Sequence, residues 1–558
     1  MWKSNARWLG ILLLLLGALS GQAQQAGTIS GTLVDSVTGQ PIEKAAVILT
    51  PVPARDHLTG FTTGSDGHFE FSGLAGGKYN LQARARGYLS HAFNQHEGYS
   101  SAIAVGPSLD SENLTFRLPP ECVITGAVSD EAGEPVRGAQ VSLYTDSIAA
   151  GSREVRPAQQ AVTDDQGGYH FGHLEAGQYY IVVSAQVWYA QRPEPTHAAH
   201  APRPGRYYGA GKLDTKIATP PETDSHELPR SPLDLVYPVT FYPGATDPAS
   251  ASAIAVNAGE RFIANVRLQP VPAAHLEIRS SSPGDPGSVY VQLEQKTPWG
   301  TFPAPGVANV TNEFGKTLLT GIPPGHYEMK IRETKPTGAE TVRESEVEVG
   351  SNGTIEQSVD GPAAHVTATV KDGTGNGLPV RGVLQLYNPA TRDYLYAHIP
   401  QSGQVEYPEP IPPGRYVVAV AQSGGTFVKS VSGTGAKIAG GMVTVEPGAQ
   451  AKLLVVVGNG YGRITGTAQR QGKPFSGAMV LLVPDQGANT ALFRRDQSDS
   501  DGTFTLNNVV PGKYRVMAIE NGWDLEWMKP EVIKKFAGKA ASVDLGTREK
   551  LDIKVEVQ

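Results

Sequence analysis

One recurring interval constrains this chain more than any other feature of its sequence. A turn glycine is followed by an alternating run, a single apolar residue, and then Gly-x-Tyr. Gly67 to Tyr79, Gly167 to Tyr179, Gly315 to Tyr327 and Gly502 to Tyr514 are each 12 residues, and Gly403 to Tyr416 is 13. Self-similarity of this kind is the mark of a tandem array. Within the run, Phe69 and Phe71, or Tyr169 and Phe171, alternate with polar residues, the period-two pattern of a strand with one buried face. Asp66-Gly67 and Asp501-Gly502 supply the positive φ of a tight turn. The tyrosine then opens another strand, as in Tyr79–Ala83 and Tyr514–Ala518. Its ring is expected in the core, with its hydroxyl bonded to nearby backbone as in a tyrosine corner.

Three copies carry a further half-unit upstream. It opens with Ile29-Ser30-Gly31-Thr32-Leu33, Ile124-Thr125-Gly126-Ala127-Val128 or Ile464-Thr465-Gly466-Thr467-Ala468. Gly39-Gln40-Pro41, Gly133-Glu134-Pro135 and Gly472-Lys473-Pro474 follow as turns, leading to strands from Ala46, Ala139 and Ala478. Short strands at such spacing, bounded by Gly and Pro, predict two-sheet sandwiches of roughly 90–100 residues. The joined motif, I-x-G-x-V, G-x-P, A-x-V and D-x-x-G-x-Y/F-x-F-x-x-L-x-P-G-x-Y, resembles the carboxypeptidase regulatory-like domain of bacterial repeat proteins. The first, second and last copies match it nearly throughout; the third and fourth match its second half. The resemblance implies transthyretin-like sandwiches, grouped with a carbohydrate-binding-like fold, and implies no activity by itself.

The fold expected is therefore all-β: about five Ig-like or transthyretin-like sandwiches in tandem after a signal peptide. Its units are placed at 24–118, 119–270, 271–360, 361–458 and 459–558. The second is oversized because of a Pro- and Tyr-rich insert at 188–243. The last has the full motif and is expected to fold by itself. At the N-terminus, Lys3 and Arg7 precede an apolar run from Leu9 to Leu19, and Gly21-Gln22-Ala23 offers small residues for cleavage. This reads as a signal peptide over 1–23, with no later apolar run long enough to span a bilayer. The expected location is the periplasm, the cell surface or the medium. Loss of Lys3 and Arg7 takes the formal charge from −7 to −9. With no basic stripe, a nucleic-acid partner is disfavoured. Cys122 is the sole cysteine, so no intrachain disulfide forms.

No catalytic group is identified, and no metal or other cofactor is expected. The His-x-x-Glu zinc pair of metallocarboxypeptidases is missing from the sequence. His197 and His200 sit among prolines that oppose the helix needed to aim both at one ion. The Asp-Gly turns lack the distal Glu of a calcium loop. The quoted opening strands carry no Lys for an isopeptide bond. Aromatic residues remain: Trp188, Tyr189, Tyr207, Tyr208 and Tyr242 in and around the insert are the candidate ligand-binding set, since flat rings stack on sugars and also cover sheet edges. Trp523 and Trp527 are expected to serve packing. Two readings stand. One is an exported binding and scaffold protein for extracellular polysaccharide. The other is a structural spacer or protein-interaction module of the cell envelope with no sugar ligand.

Overall fold

The computed structural model describes residues 27–191 and 231–558, apart from 54–57, 108, 110, 280–287, 298–299, 305–306, 312–315, 335–339, 351–352, 356–363, 374–381, 390–393, 408–410, 422–424, 440 and 486–489. The expected signal peptide, His197, His200, Tyr207 and Tyr208 lie outside the described residues.

The first sandwich sets the pattern. Its strands are β1 (Gly27–Asp35), β2 (Ala46–Val52), β3 (Thr59–Thr62), β4 (His68–Leu74), β5 (Gly77–Arg84), β6 (His91–Ala92), β7 (Ile103–Val105) and β8 (Leu114–Leu118). One sheet runs β4-β1-β8 and the other β3-β2-β5-β6, with β7 also on β5. β1 lies antiparallel to β4 and parallel to β8. Ile29, Leu33, Val47, Leu49, Phe69, Phe71 and Leu81 fill the space between the sheets.

The same wiring recurs four more times. The counterparts of β1 are Cys122–Ser129, Ala274–Arg279, His365–Asp372 and Gly462–Arg470. Each lies antiparallel to the strand of its own turn glycine and parallel to a strand late in its unit. Each sandwich has its own apolar core. The tandem β-sandwich architecture read from the repeat is thus the architecture of the chain, including the third and fourth copies, where only half the motif survives.

Two motif glycines owe their identity to crowding. Gly67, Gly167, Gly403 and Gly502 have φ between +68° and +76°. A Cβ on any of them would stand 2.4–2.7 Å from a carbonyl oxygen of the opening strand, closer than real contacts come. The central glycine of the opening strand faces its parallel neighbour: a Cβ on Gly31, Gly126 or Gly466 would meet a carbonyl oxygen there at 1.9–2.3 Å. So I-x-G is read by the last strand, and D-G by the first.

The tyrosine does what its position requires. Its hydroxyl donates to the carbonyl four residues earlier in all five copies: Tyr79 to Ala75, Tyr179 to Glu175, Tyr327 to Pro323, Tyr416 to Pro412 and Tyr514 to Val510, at 2.6–2.9 Å. Four of the rings are buried, and Tyr79 is half-buried. Burial pushes the Tyr514 hydroxyl up to about 12, so it remains a donor.

The expected 188–243 insert ends in sheet rather than loop. Thr240–Phe241 pairs with Gly177–Ser184, and Leu235–Val236 pairs with Val271–Pro272 at the entry to the third sandwich. Val236, Tyr237, Val239 and Phe241 are buried. Phe302 of the third sandwich packs against Phe241 and Tyr144, and His275 pairs with Asp234 at 2.5 Å. Together these join the second and third units.

The corner yields a graded expectation. Tyr514→Phe removes one bond and costs about 1 kcal/mol. Tyr514→Ala also empties a buried ring site and costs about 3–5 kcal/mol. Native-state hydrogen exchange of the Gly512–Ile519 amides measures both locally. A Tyr514→Phe cost near zero would mean that the hydroxyl bond contributes nothing, and equal costs for the two variants would mean that the buried ring contributes nothing.

Candidate functional site at the junction of three sandwiches

The expected ligand-binding aromatics separate into different environments. The Trp188 side chain is largely in solvent, with the residue 85% exposed, and its ring meets Tyr189 edge-on at 5.5 Å. Tyr189 donates its hydroxyl to Glu131, a bond that pushes its own ionisation up to about 12. Tyr237 donates to the other oxygen of that carboxylate at 3.2 Å. Tyr242 packs on the core of the second sandwich and edge-on to Phe262. Tyr189 and Tyr242 therefore serve packing and hydrogen bonding in the second unit, and Trp188 is the exposed ring.

The fifth sandwich contains the feature that the repeat does not explain. Its strand Met479–Pro484 is buried at every position, and the last four residues of Gly512–Ile519 are buried too. One face of these strands looks into the sandwich core through Val480, Leu482, Val516 and Ala518. The other face, Met479, Leu481, Met517 and Ile519, is covered by Trp523, Trp527 and the helix α1 (Pro530–Phe536). Pro530 at the first helical turn is well placed, because its missing N–H would have no helical partner there. Met479-Val480-Leu481-Leu482-Val483 is a continuous apolar run, the signature of a strand buried on both faces. That run, with Trp523 and Trp527, is the sequence signal for this second core.

This covered face docks on the first and second sandwiches. Trp523 stacks on His96 (5.7 Å, 5° between planes) and packs against Tyr99 at 5.1 Å. Trp527 lies on Gly151 at the tip of the long hairpin of the second sandwich, and Met528 N–H donates to the Gly151 carbonyl at 3.0 Å. The two tryptophans expected to pack do so, and what they pack between is units far apart in sequence.

Around them runs a dense polar seam. Arg495 makes two bonds to the Glu97 carboxylate, at 2.9 and 3.0 Å, while its guanidinium lies 5.0–5.5 Å from the ring centres of Tyr99, Trp523 and Trp527. Gln497 is 1% exposed. Its amide donates to the Asn94 carbonyl and Ser101 Oγ and meets His96 Nδ1 through Oε1. Ser101 Oγ donates to the Ser498 carbonyl. Ser500 N–H donates to the Ala102 carbonyl, Ala102 N–H to Asp499, and Ala104 N–H to Ser500 Oγ. The bonds of Asp499 and Ser500 lie along the Asp499-Ser500-Asp501-Gly502 turn. Lys78 occupies its acidic side, bonded to Asp499 and Thr503 and 3.4 Å from Asp501.

Burial governs the charges here. Burial raises Asp499 above the usual carboxylate range against the pull of Lys78. For Asp501 burial also pushes upward, but bonds from Thr503 and the nearness of Lys78 outweigh it and hold the group low. Asp496, half-buried near Asp499 and accepting a bond from Thr505 N–H, is pushed up to about 6, mainly by its partial desolvation. Among the described residues, no three His, Cys, Asp or Glu side chains gather as metal ligands do. No helix among them is long and apolar enough to cross a membrane.

Asp496 gives the seam a pH dependence of definite sign. Its folded value lies above its unfolded one, so its favourable contribution is complete below about pH 4 and lost as pH rises through about 6. Asp496→Asn keeps an acceptor for Thr505 and removes the charge. The variant is expected to equal the parent near pH 4 and to exceed it by roughly 2–3 kcal/mol at pH 7.5. Urea unfolding at both pH values checks this. A difference that does not change with pH would refute it.

Comparison with known families agrees with the repeat. The carboxypeptidase regulatory-like domain model matches residues 28–118 and 123–201. The model for the second β-sandwich domain of BOS complex subunit NOMO1-like proteins matches residues 459–544. No curated protein matches the chain. Solved structures that it resembles include the Bacillus anthracis TIE protein, at 12% identity and a TM-score of 0.16, covering 82% of this chain and 78% of that one. A streptococcal ancillary pilin matches at 13% identity and 0.19, covering 51% and 99%. The Bacillus cereus major pilin subunit BcpA matches at 10% and 0.13, covering 61% and 99%. The matched families are non-catalytic β-sandwich domains, and the first two sandwiches of this tandem β-sandwich chain are similar to the carboxypeptidase regulatory-like domain.

Proposed function

We propose that this protein is an exported, non-catalytic scaffold whose last sandwich clamps its first two into one body. The observation that carries the reading is the seam centred on Arg495, Gln497 and Trp523. Beads on a flexible string make few contacts between distant units. Here residues about 400 apart in sequence share a buried amide, a two-bond ion pair and stacked rings. Periplasm, cell surface and medium all suit such a scaffold, and its construction from many small cores suits a chain with a single cysteine.

A charge exchange tests the clamp. Arg495→Glu or Glu97→Arg alone leaves like charges facing across the seam and is expected to release the fifth sandwich from the first. The double exchange is expected to restore contact. Small-angle scattering reads the release as a larger radius of gyration. Unchanged scattering in both single variants would remove the clamp from the account.

A second reading, that of a sugar-binding surface, has a specific observation behind it. On the outer face of the fourth sandwich, Tyr387 and Tyr394 stack at 4.5 Å and Tyr394 and Tyr396 at 6.1 Å. The Tyr394 and Tyr396 rings are exposed. Together with exposed Trp188, these rings are the places for a polysaccharide to rest. If that reading holds, Tyr394→Ala/Tyr396→Ala loses most retention on an insoluble polysaccharide that holds the parent. Equal retention would exclude the row.

A further inference from the structure

The repeat gives every sandwich one equivalent sheet face that is turned away from the core. Its residues can be matched from unit to unit by counting from the corner tyrosine, through the strand which that tyrosine opens and its antiparallel neighbour. In the first sandwich Ile48 lies opposite Gln82 and Thr50 opposite Asn80. In the third, Gln292 lies opposite Lys330 and Glu294 opposite Glu328. Both faces are mainly polar. In the second, Ser142 lies opposite Val182 and Tyr144 opposite Tyr180, and Val182 is buried with Val239, Phe241 and, from the third sandwich, Phe302. In the fifth, Met479 lies opposite Ile519 and Leu481 opposite Met517, under Trp523, which itself packs on the first sandwich. Where this face is apolar in the second and fifth units, another sandwich takes part in covering it.

The fourth sandwich has an uncharged, aromatic version of the face without that cover. Val383 lies opposite Ala421, Gln385 opposite Ala419 and Tyr387 opposite Val417. The edge strand Tyr394–His398 sets Tyr394 beside Tyr387 and Tyr396 beside Gln385. The Tyr394 and Tyr396 rings are exposed.

The strand that carries the two exposed rings is also a free edge. It pairs with Val383–Tyr387 on one side and with no described strand on the other. Such an edge offers a row of backbone donors and acceptors to any strand that reaches it, and proteins guard edges with charge, proline or brevity. The matching strands of the other units are guarded. Ser152–Val162 contains Arg153, Glu154 and Pro157, and Gly300–Pro303 ends in proline. Arg494–Gln497 is charged and docked on the first sandwich. Thr59–Thr62 is short and puts only Gly60 and Thr62 on the outer face. Tyr-Leu-Tyr-Ala-His has no Lys, Arg, Asp, Glu or Pro.

We propose that this edge is the docking site of a second copy of the chain: two Tyr394–His398 strands pair antiparallel about a two-fold axis perpendicular to the sheet. The edge is its own complement, since an uncharged strand meets an identical uncharged strand and no like charges oppose each other. An axis in that direction keeps the outer faces of both copies on one side. The two tyrosine rows then adjoin, and cross-strand aromatic pairs add to the ladder bonds. A two-fold pairing uses both edges at once, so assembly through this strand stops at two. A five-residue strand and one row of rings fall short of the roughly 800 Å² per partner of tight complexes, so the dimer is reversible. Its effect is to join two clamped bodies through their fourth sandwiches, and it does not depend on the clamp.

Sedimentation velocity of the full mature chain, from low micromolar to several hundred micromolar, reads the pairing. The parent is expected to pass from monomer towards dimer over that range. Tyr396→Lys brings two like charges close to the axis and is expected to weaken dimerisation about tenfold or more; His398→Lys is expected to do the same. Both positions are exposed, and an unchanged melting temperature at low concentration verifies that the variants fold. Tyr290→Lys, at an exposed position on the matching face of the third sandwich, is expected to dimerise like the parent. Hydrogen exchange locates the contact: amides of Tyr394–His398 are expected to slow as concentration rises, and not to do so in Tyr396→Lys. A parent chain that stays monomeric at the highest concentration overturns the proposal. If that monomer is held by an insoluble polysaccharide through Tyr394 and Tyr396, the row belongs to the sugar-binding reading instead. A dimer that survives both Tyr396→Lys and His398→Lys overturns the proposal equally. Arg495→Glu is expected to leave dimerisation unchanged while it opens the clamp at low concentration, so failure of the clamp and failure of the dimer are read separately.

Discussion

The tyrosine hydroxyl bonded to the carbonyl four residues back is the constraint on which each sandwich depends. It ties the end of the strand after the turn glycine to the start of the next, and those two strands belong to different sheets. A sandwich of two small sheets can slide one sheet over the other with little loss of apolar contact. A ring pinned at one end and buried at the other removes that freedom. The turn glycine acts within one sheet, because its α-carbon lies against the carbonyl of the opening strand, the neighbour of its own strand. The fixed interval between glycine and tyrosine thus runs from a contact inside one sheet to the tie between the two.

That is why so much of the fold is legible in the sequence. Gly67 and Tyr79, or Gly502 and Tyr514, act through geometry close to them in the chain, and local geometry leaves local patterns. The third and fourth units keep this half of the motif and keep the wiring, although their opening strands have drifted. The opening-strand glycine is legible for another reason: its requirement is imposed by backbone, which does not change when side chains do.

The seam is hidden for the converse reason. Ser101, Gln497 and Ser498 are buried polar residues, yet in sequence they are ordinary loop and edge residues. Their partners are some 400 positions away, and nothing in a single sequence links them. What the sequence does carry is an excess. Five apolar residues from Met479 to Val483 are more than one sheet face can use, and Trp523 and Trp527 add surface that the motif does not need. The insert shows the reverse effect. Its aromatic ends look available in sequence, but Glu131 holds Tyr189 and Tyr237, and Phe241 is absorbed into a sheet.

The polar character of the seam bears on what kind of contact it is. An apolar face such as Met479, Leu481, Met517 and Ile519 would adhere to many surfaces. Trp523, Trp527 and α1 cover most of it within the fifth unit itself, so the unit can keep its own core without the first sandwich. What the first sandwich then meets is directional: a guanidinium that needs a carboxylate in its plane, an amide that needs two acceptors and a donor, and backbone groups of Ala102 and Ala104 that need a turn of one shape. Each is costly to bury unmatched, so a misplaced first sandwich is rejected more strongly than a correct one is attracted. The stability of each unit thus comes from its core and corner, while their arrangement comes from hydrogen-bond matching. The two can be altered separately, which a chain held together only by apolar contact would not allow.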